Sequence, residues 1–130
     1  MTTTKSPVYV FEGSVAVCEH DYCNLCEDDP MEDLDRILTK STRMHFVLTY
    51  PFDKPFAGVI TGEITLRRVI DAIRAGFQTM YAGTTERDIP NLCNKDVTGP
   101  YGQAFHEIGD LVIERIHLCS DDSFSIFIGS

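Results

Sequence analysis

Leu66–Tyr81 reads LRRVIDAIRAGFQTMY. Leu66, Val69, Ile70, Ile73, Phe77, Met80 and Tyr81 recur at helical spacing and form one apolar face. Arg67, Asp71, Arg74 and Gln78 occupy the opposite side. Thr65 stands at the N-cap position, and Gly83 supplies a C-terminal stop. Arg67 and Asp71 form an i, i+4 pair worth about a few tenths of a kcal/mol. Ala72, Ala75, Gly76 and Thr79 make a strip small enough for another backbone to approach. A helix with this one apolar face needs a second layer to cover it.

The flanking sequence supplies that layer as strands. Arg43–Tyr50 alternates: Met44, Phe46, Leu48 and Tyr50 face one way, and Arg43, His45, Val47 and Thr49 the other. Pro51 ends that strand, and Pro51–Phe56 (PFDKPF) is a turn anchored by two Phe. Ala57–Thr61 is a further short strand. Val8–Phe11 and Ser14–Cys18 read as buried strand bent at Gly13. Leu111–Leu118, a turn over Cys119–Asp122 and Ser123–Ile128 form a terminal hairpin, with Phe124, Ile126 and Ile128 on one face. Pro30–Lys40 (PMEDLDRILTK) reads as a short helix, its stripe being Met31, Leu34, Ile37 and Leu38. Thr84–Gly99 is polar, holds Pro90 and has no period, so it reads as a long loop. The expected architecture is one α+β domain over residues 1–130. It has a small, mostly antiparallel sheet, one principal helix and the C-terminal hairpin.

The chain has 130 residues, 20 acidic and 11 basic, for a formal charge of −9. Eight acids fall between Glu19 and Asp35, a stretch with no Lys or Arg, so −8 of the −9 belongs to one segment. The rest of the domain is nearly neutral. The overall acidity disfavours nucleic acid and anionic membranes as partners. No run reaches the roughly 18 apolar residues of a membrane span. Met1–Pro7 has no signal-peptide block behind it, which places the chain inside the cell, nuclear or cytoplasmic. Five cysteines cannot all pair with one another, which favours reduced thiols or metal ligands.

Candidate chemistry is sparse. The acidic, Cys-rich loop at about 18–35 holds Cys18, His20, Cys23 and Cys26, which include a C-x-x-C pair and could bind zinc. All four lie within nine residues, whereas structural zinc sites usually join two distant pairs. A cofactor-free loop of ordinary thiols is the simpler expectation. Neighbouring carboxylates would raise those thiol pKa values and blunt redox reactivity. His106–Glu107–Ile108–Gly109–Asp110 lacks the second His of a zincin helix. His106 with Glu107 or Asp110 could work as an acid–base pair, or could simply fix a turn through backbone hydrogen bonds. Arg67 and Arg74 are candidate anion contacts, and Tyr101 a candidate binding residue. No P-loop, nucleotide-binding glycine motif or hydrolase elbow is present.

Tyr101–Glu114 (YGQAFHEIGDLVIE) resembles a pattern in proteins of large DNA viruses, fungi and protists. There a Tyr-Gly start leads to His-x-x-x-Asp-Leu-Val entering a terminal hairpin. Leu66–Tyr81 is similar to the helix that precedes it, so the likeness spans about the last half of the chain. Gln103–Ala104–Phe105 stands where Ile-Trp-Gly is usual. The resemblance implies a fold unit and a viral or protist source, with no activity attached.

The leading functional expectation is a non-enzymatic interaction or assembly module, binding a protein partner or itself through a sheet edge left open by the terminal strand. A zinc-binding protein using the Cys18–Cys26 loop and a small enzyme using His106 are the alternatives.

Overall fold

The computed structural model describes residues 8–18, 22–24, 29–30, 34–89, 95–119 and 121–130. Its main layer is a five-stranded sheet. The strands are β1 (Val8–Ala16), β4 (Arg43–Leu48), β5 (Phe56–Thr61), β9 (Val112–Leu118) and β10 (Ser123–Gly129), in the order β1-β9-β10-β4-β5. β2 (Cys23–Asn24) and β3 (Asp29–Pro30) form a two-residue pair in the acidic segment. β6 (Thr85–Asp88), β7 (Lys95–Gly99) and β8 (Gly102–Ala104) make a separate three-stranded sheet.

The helix α1 (Leu66–Tyr81) lies on one face of the main sheet. Thr65 caps it as expected, its side chain accepting the Arg68 N–H at 3.3 Å. All the expected apolar positions are buried except Tyr81, which is half-buried. Met44, Phe46 and Leu48 on β4 and Phe124 on β10 are buried as the alternation assigns, and Ile126 and Ile128 are half-buried, but β4 ends at Leu48 and Tyr50, read as part of the same face, is exposed. Of the small strip, Gly76 makes the close approach. A Cβ there would stand 2.7 Å from Leu48 Cδ1 and 3.0 Å from Phe56 Cε1. Ala75 and Thr79 are exposed instead.

The terminal hairpin forms as read, β9 pairing antiparallel with β10. The sheet is larger than the sequence suggests, and it is mixed. β10 runs parallel to β4, with Ser123 opposite His45 and Phe124 opposite Phe46. The last strand is therefore interior, not an open edge. Among the described residues, the edges are β1 and β5.

Two local readings are corrected. Leu34–Lys40 is not helical. The Leu34 carbonyl accepts the Arg67 N–H at 2.9 Å, and the Leu38 N–H donates to the Ile64 carbonyl at 2.9 Å. Those long-range backbone bonds replace the i→i−4 bonds a helix would need. Ile37, read as part of an apolar stripe, is 63% exposed. Met31 lies outside the described residues. Thr84–Gly99, read as a loop, contains β6 and β7. Their strand character was hidden because β6 is exposed at every position and shows no apolar alternation. One of its pairings is electrostatic: Arg87 stands opposite Asp96 and pairs with its carboxylate. Asp96 is buried and accepts from Arg87 Nη2 and Gln103 Nε2, each at 2.8 Å. The Gln103 hydrogen bond, then Arg87, holds its carboxyl below the usual carboxylate range.

Candidate functional site

Among the described residues, three places are candidates for a functional site. The first is the carboxyl end of the parallel pair β4 and β10. Glu107 caps the 3₁₀ turn Ile108–Asp110, and its N–H donates to Asp110 Oδ2 at 3.1 Å. This fixes His106 just ahead of the turn. Its carbonyl accepts the Tyr81 hydroxyl at 2.8 Å. Burial pushes the Tyr81 phenol well up, with Asp110 acting in the same direction. His106 Nε2 stands 3.3 Å from Ser130 Oγ, and Ser130 Oγ shares a hydrogen bond of 2.5 Å with Tyr50 Oη.

Asp110, His106 and Ser130 thus follow the order of a carboxylate–imidazole–hydroxyl chain. The spacing is looser than that chemistry uses. Asp110 Oδ2 lies 3.7 Å from His106 Nδ1, an ion-pair separation, and already accepts the Glu107 N–H. Ser130 Oγ is engaged by Tyr50. The cluster ties the ends of β4 and β10 to the 106–110 turn. Spacing in the sequence could not reveal it: Tyr50 and Ser130 are 80 residues apart, and only the β4–β10 pairing makes them neighbours.

The second place is the polar face of α1. Arg74 is only 6% exposed and donates through Nε and Nη2 to the Ala16 carbonyl, at 3.2 and 2.8 Å. Arg67 pairs with Asp35 at 3.0 Å, and its hydrogen bond holds that carboxyl below its ordinary range. Both guanidinium groups lie over the Tyr22 ring, at 4.7 Å for Arg67 and 5.3 Å for Arg74. Tyr22 Oη donates to Asp71 at 2.5 Å, which pushes the phenol up. Asp71 thus serves Tyr22, where the sequence had matched it with Arg67. Arg67 and Arg74, read as anion contacts, hold Asp35, Tyr22 and the Ala16 end of β1 against the helix. Tyr101 is half-buried. Its ring meets Phe56 edge-on at 6.1 Å, and its carbonyl accepts the Lys54 N–H.

His20 and Cys26 lie outside the described residues, and Cys23 is described by its place in β2. Cys18 is free and exposed. Among the described residues, no group of three or more His, Cys, Asp or Glu is placed to hold a metal.

The third place is the open edge β5. The Gly62 N–H donates to the Thr42 carbonyl at 2.8 Å, in register with the pairs that follow, Arg43 with Thr61 and Met44 with Ile60. Antiparallel ladders alternate, so Phe56, Gly58 and Ile60 turn their backbone groups toward β4. Ala57, Val59 and Thr61 turn theirs outward. The Thr61 carbonyl is taken by Arg68 Nη2 at 2.7 Å. Among the described residues, the outward N–H and C=O of Ala57 and Val59 meet no partner. A groove of about 350 Å³ runs beside them, lined by Val59, Ile60, Thr61, Arg68, Asp71 and Ala72. On the face away from α1, Val59, Val47 and Phe127 are about half exposed. A shallow groove of about 480 Å³ opens there between β4 and β10.

No protein-family model, curated protein or solved structure matches this chain. Among the described residues, no helix is long and apolar enough to cross a membrane.

Proposed function

We propose that this chain is a protein-association module without catalytic activity, recruiting its partner by strand addition along β5. The observation that supports this reading is the edge at Ala57 and Val59, whose outward backbone groups meet no partner among the described residues. Edge strands are usually blunted by charge, proline or bulges. β1 follows that rule, with register breaks between Tyr9 and Phe11 and between Glu12 and Val15. β5 does not. Its register with β4 is unbroken from Phe56 to Thr61, and its sequence, FAGVIT, holds no charged residue. An extended partner gains main-chain hydrogen bonds from Ala57 and Val59 and apolar cover from the adjoining sheet face.

The test is differential capture with two immobilised baits, the native chain and Val59→Pro. The proline removes an outward N–H and leaves the β4 ladder intact. A protein retained by the native bait and lost from the variant supports strand addition. Equal recovery on both baits overturns it.

The His106 cluster supports an enzyme less well, because its hydroxyl and carboxylate are both already committed. Zinc binding by Cys18, His20, Cys23 and Cys26 remains a proposal from the sequence. Elemental analysis of chain purified without chelators tests it, and less than a tenth of an equivalent of zinc would end it.

A further inference from the structure

We infer that the strand added to β5 is β5 of a second copy of this chain, antiparallel across a two-fold axis at Gly58. The inference rests on the strand-addition reading and goes further by naming the occupant. It follows from how the edge complements itself.

Antiparallel pairing brings together residues that both turn their backbone outward. On β5 these are Ala57, Val59 and Thr61. Pro55 immediately precedes the strand and would extend the same alternation by one step in a strand lengthened on pairing. A two-fold axis can therefore sit at only a few positions. With the axis at Val59, the Ala57 N–H meets the Thr61 carbonyl of the other copy, which Arg68 already holds. With the axis at Ala57, the Val59 carbonyl meets Pro55, which has no N–H to donate.

With the axis at Gly58 each mismatch disappears. Ala57 of each copy faces Val59 of the other, and the two residues exchange both main-chain hydrogen bonds. Pro55 faces Thr61. The proline lacks a donor at the place where the Thr61 carbonyl already has one from Arg68, and the Thr61 N–H finds the Pro55 carbonyl. The position on the axis is a glycine without a Cβ. A Cβ there would stand 2.2 Å from Phe46 Cζ, so the site has no room for one.

Side chains agree with this register. Ala57 and Val59 are exposed on the same face and become cross-strand neighbours, twice by symmetry. On the helix side, Phe56 of the second copy comes against Ile60, beside the groove that borders the edge. The result is a continuous ten-stranded sheet. The bulged β1 edges lie at its two ends, so the assembly closes as a dimer.

Sedimentation of the full chain over micromolar concentrations tests the inference. The native chain should approach twice 14.6 kDa. The double variant Ala57→Lys with Val59→Lys places like charges opposite each other across the interface. It should raise the dissociation constant about tenfold or more. Ala57→Glu with Val59→Lys places opposite charges together in this register and should restore the dimer. Both positions are solvent-facing, and circular dichroism with denaturant unfolding confirms that each variant folds. A native chain that stays at 14.6 kDa overturns the second copy as occupant. In that case the capture experiment alone decides strand addition by another protein. A dimer indifferent to the lysine pair, or one not rescued by the Glu–Lys pair, overturns the Gly58-centred interface.

Discussion

Arg68 Nη2 donates to the Thr61 carbonyl at 2.7 Å, closing one outward acceptor on the free edge of β5. Arg68 also donates to the Glu63 carbonyl, so one side chain on the first turn of α1 pins the end of β5 and the turn that follows. The helix thereby sets which part of the edge can accept another strand. That leaves Ala57 and Val59 as the paired opening.

Arg68→Ala should reopen the Thr61 acceptor. Being exposed, the contact is worth about 1 kcal/mol of folding stability. Dimerisation should persist in the variant, now with a second register allowed in which Ala57 donates to Thr61. Cysteine cross-linking from Val59→Cys reads the change. The cross-link is weak in the parent background and stronger with Arg68→Ala, because the second register brings position 59 onto the axis.

Phe77→Ala should cost about 3–5 kcal/mol in urea unfolding. Phe77 is fully buried on the sheet-facing side of α1, and removing its ring leaves a cavity under the strands. A loss below about 1 kcal/mol would mean that α1 does not pack on the sheet as described.

Arg74→Met should cost about 2 kcal/mol, since it removes two charge-assisted hydrogen bonds to the Ala16 carbonyl while keeping much of the side-chain volume. Amide exchange should quicken at Val17 and Tyr22 ahead of the sheet core. An unchanged exchange rate there would show that the arginine does not dock this segment.

Tyr81 contributes to the alkaline limit. Its phenol is held above the ordinary value of 10.0 by burial and by nearby carboxylates. A group whose folded pKa is raised contributes stability that is complete below its unfolded pKa and declines as pH rises past it. The native chain should therefore lose stability above about pH 10, and Tyr81→Phe should flatten that decline. At the acid end the sign reverses for Asp96, whose carboxyl is held low by Gln103 and Arg87. Its contribution is present above the ordinary carboxylate value of 3.8 and fades as pH falls through the lower folded one.

Much of this architecture could be read from residue patterns. α1, its cap, β4 and the terminal hairpin all carry strong periodicity, because each buries one face and exposes the other. β6 and the residues around Leu34 did not declare themselves. β6 buries no face, and Leu34–Lys40 gives its helical pattern up to long-range backbone bonds with Arg67 and Ile64. The placement of β10 next to β4 was also invisible, since nothing in SFSIFIG specifies a parallel neighbour 78 residues away. That one pairing moved the open edge from the last strand to β5 and assembled Tyr50, His106 and Ser130. Arg67 and Arg74 were visible as functional candidates, but their partners Tyr22, Asp35 and Ala16 depend on tertiary docking.

The most direct test of association along β5 is amide hydrogen exchange at Ala57 and Val59, followed by NMR as protein concentration is raised. These two N–H groups point out of the ladder, while those of Gly58 and Ile60 point into it. The account predicts that protection at Ala57 and Val59 climbs with concentration while Gly58 and Ile60 stay protected throughout. Fast, concentration-independent exchange at Ala57 and Val59, in a chain whose sedimentation shows a dimer, would contradict it.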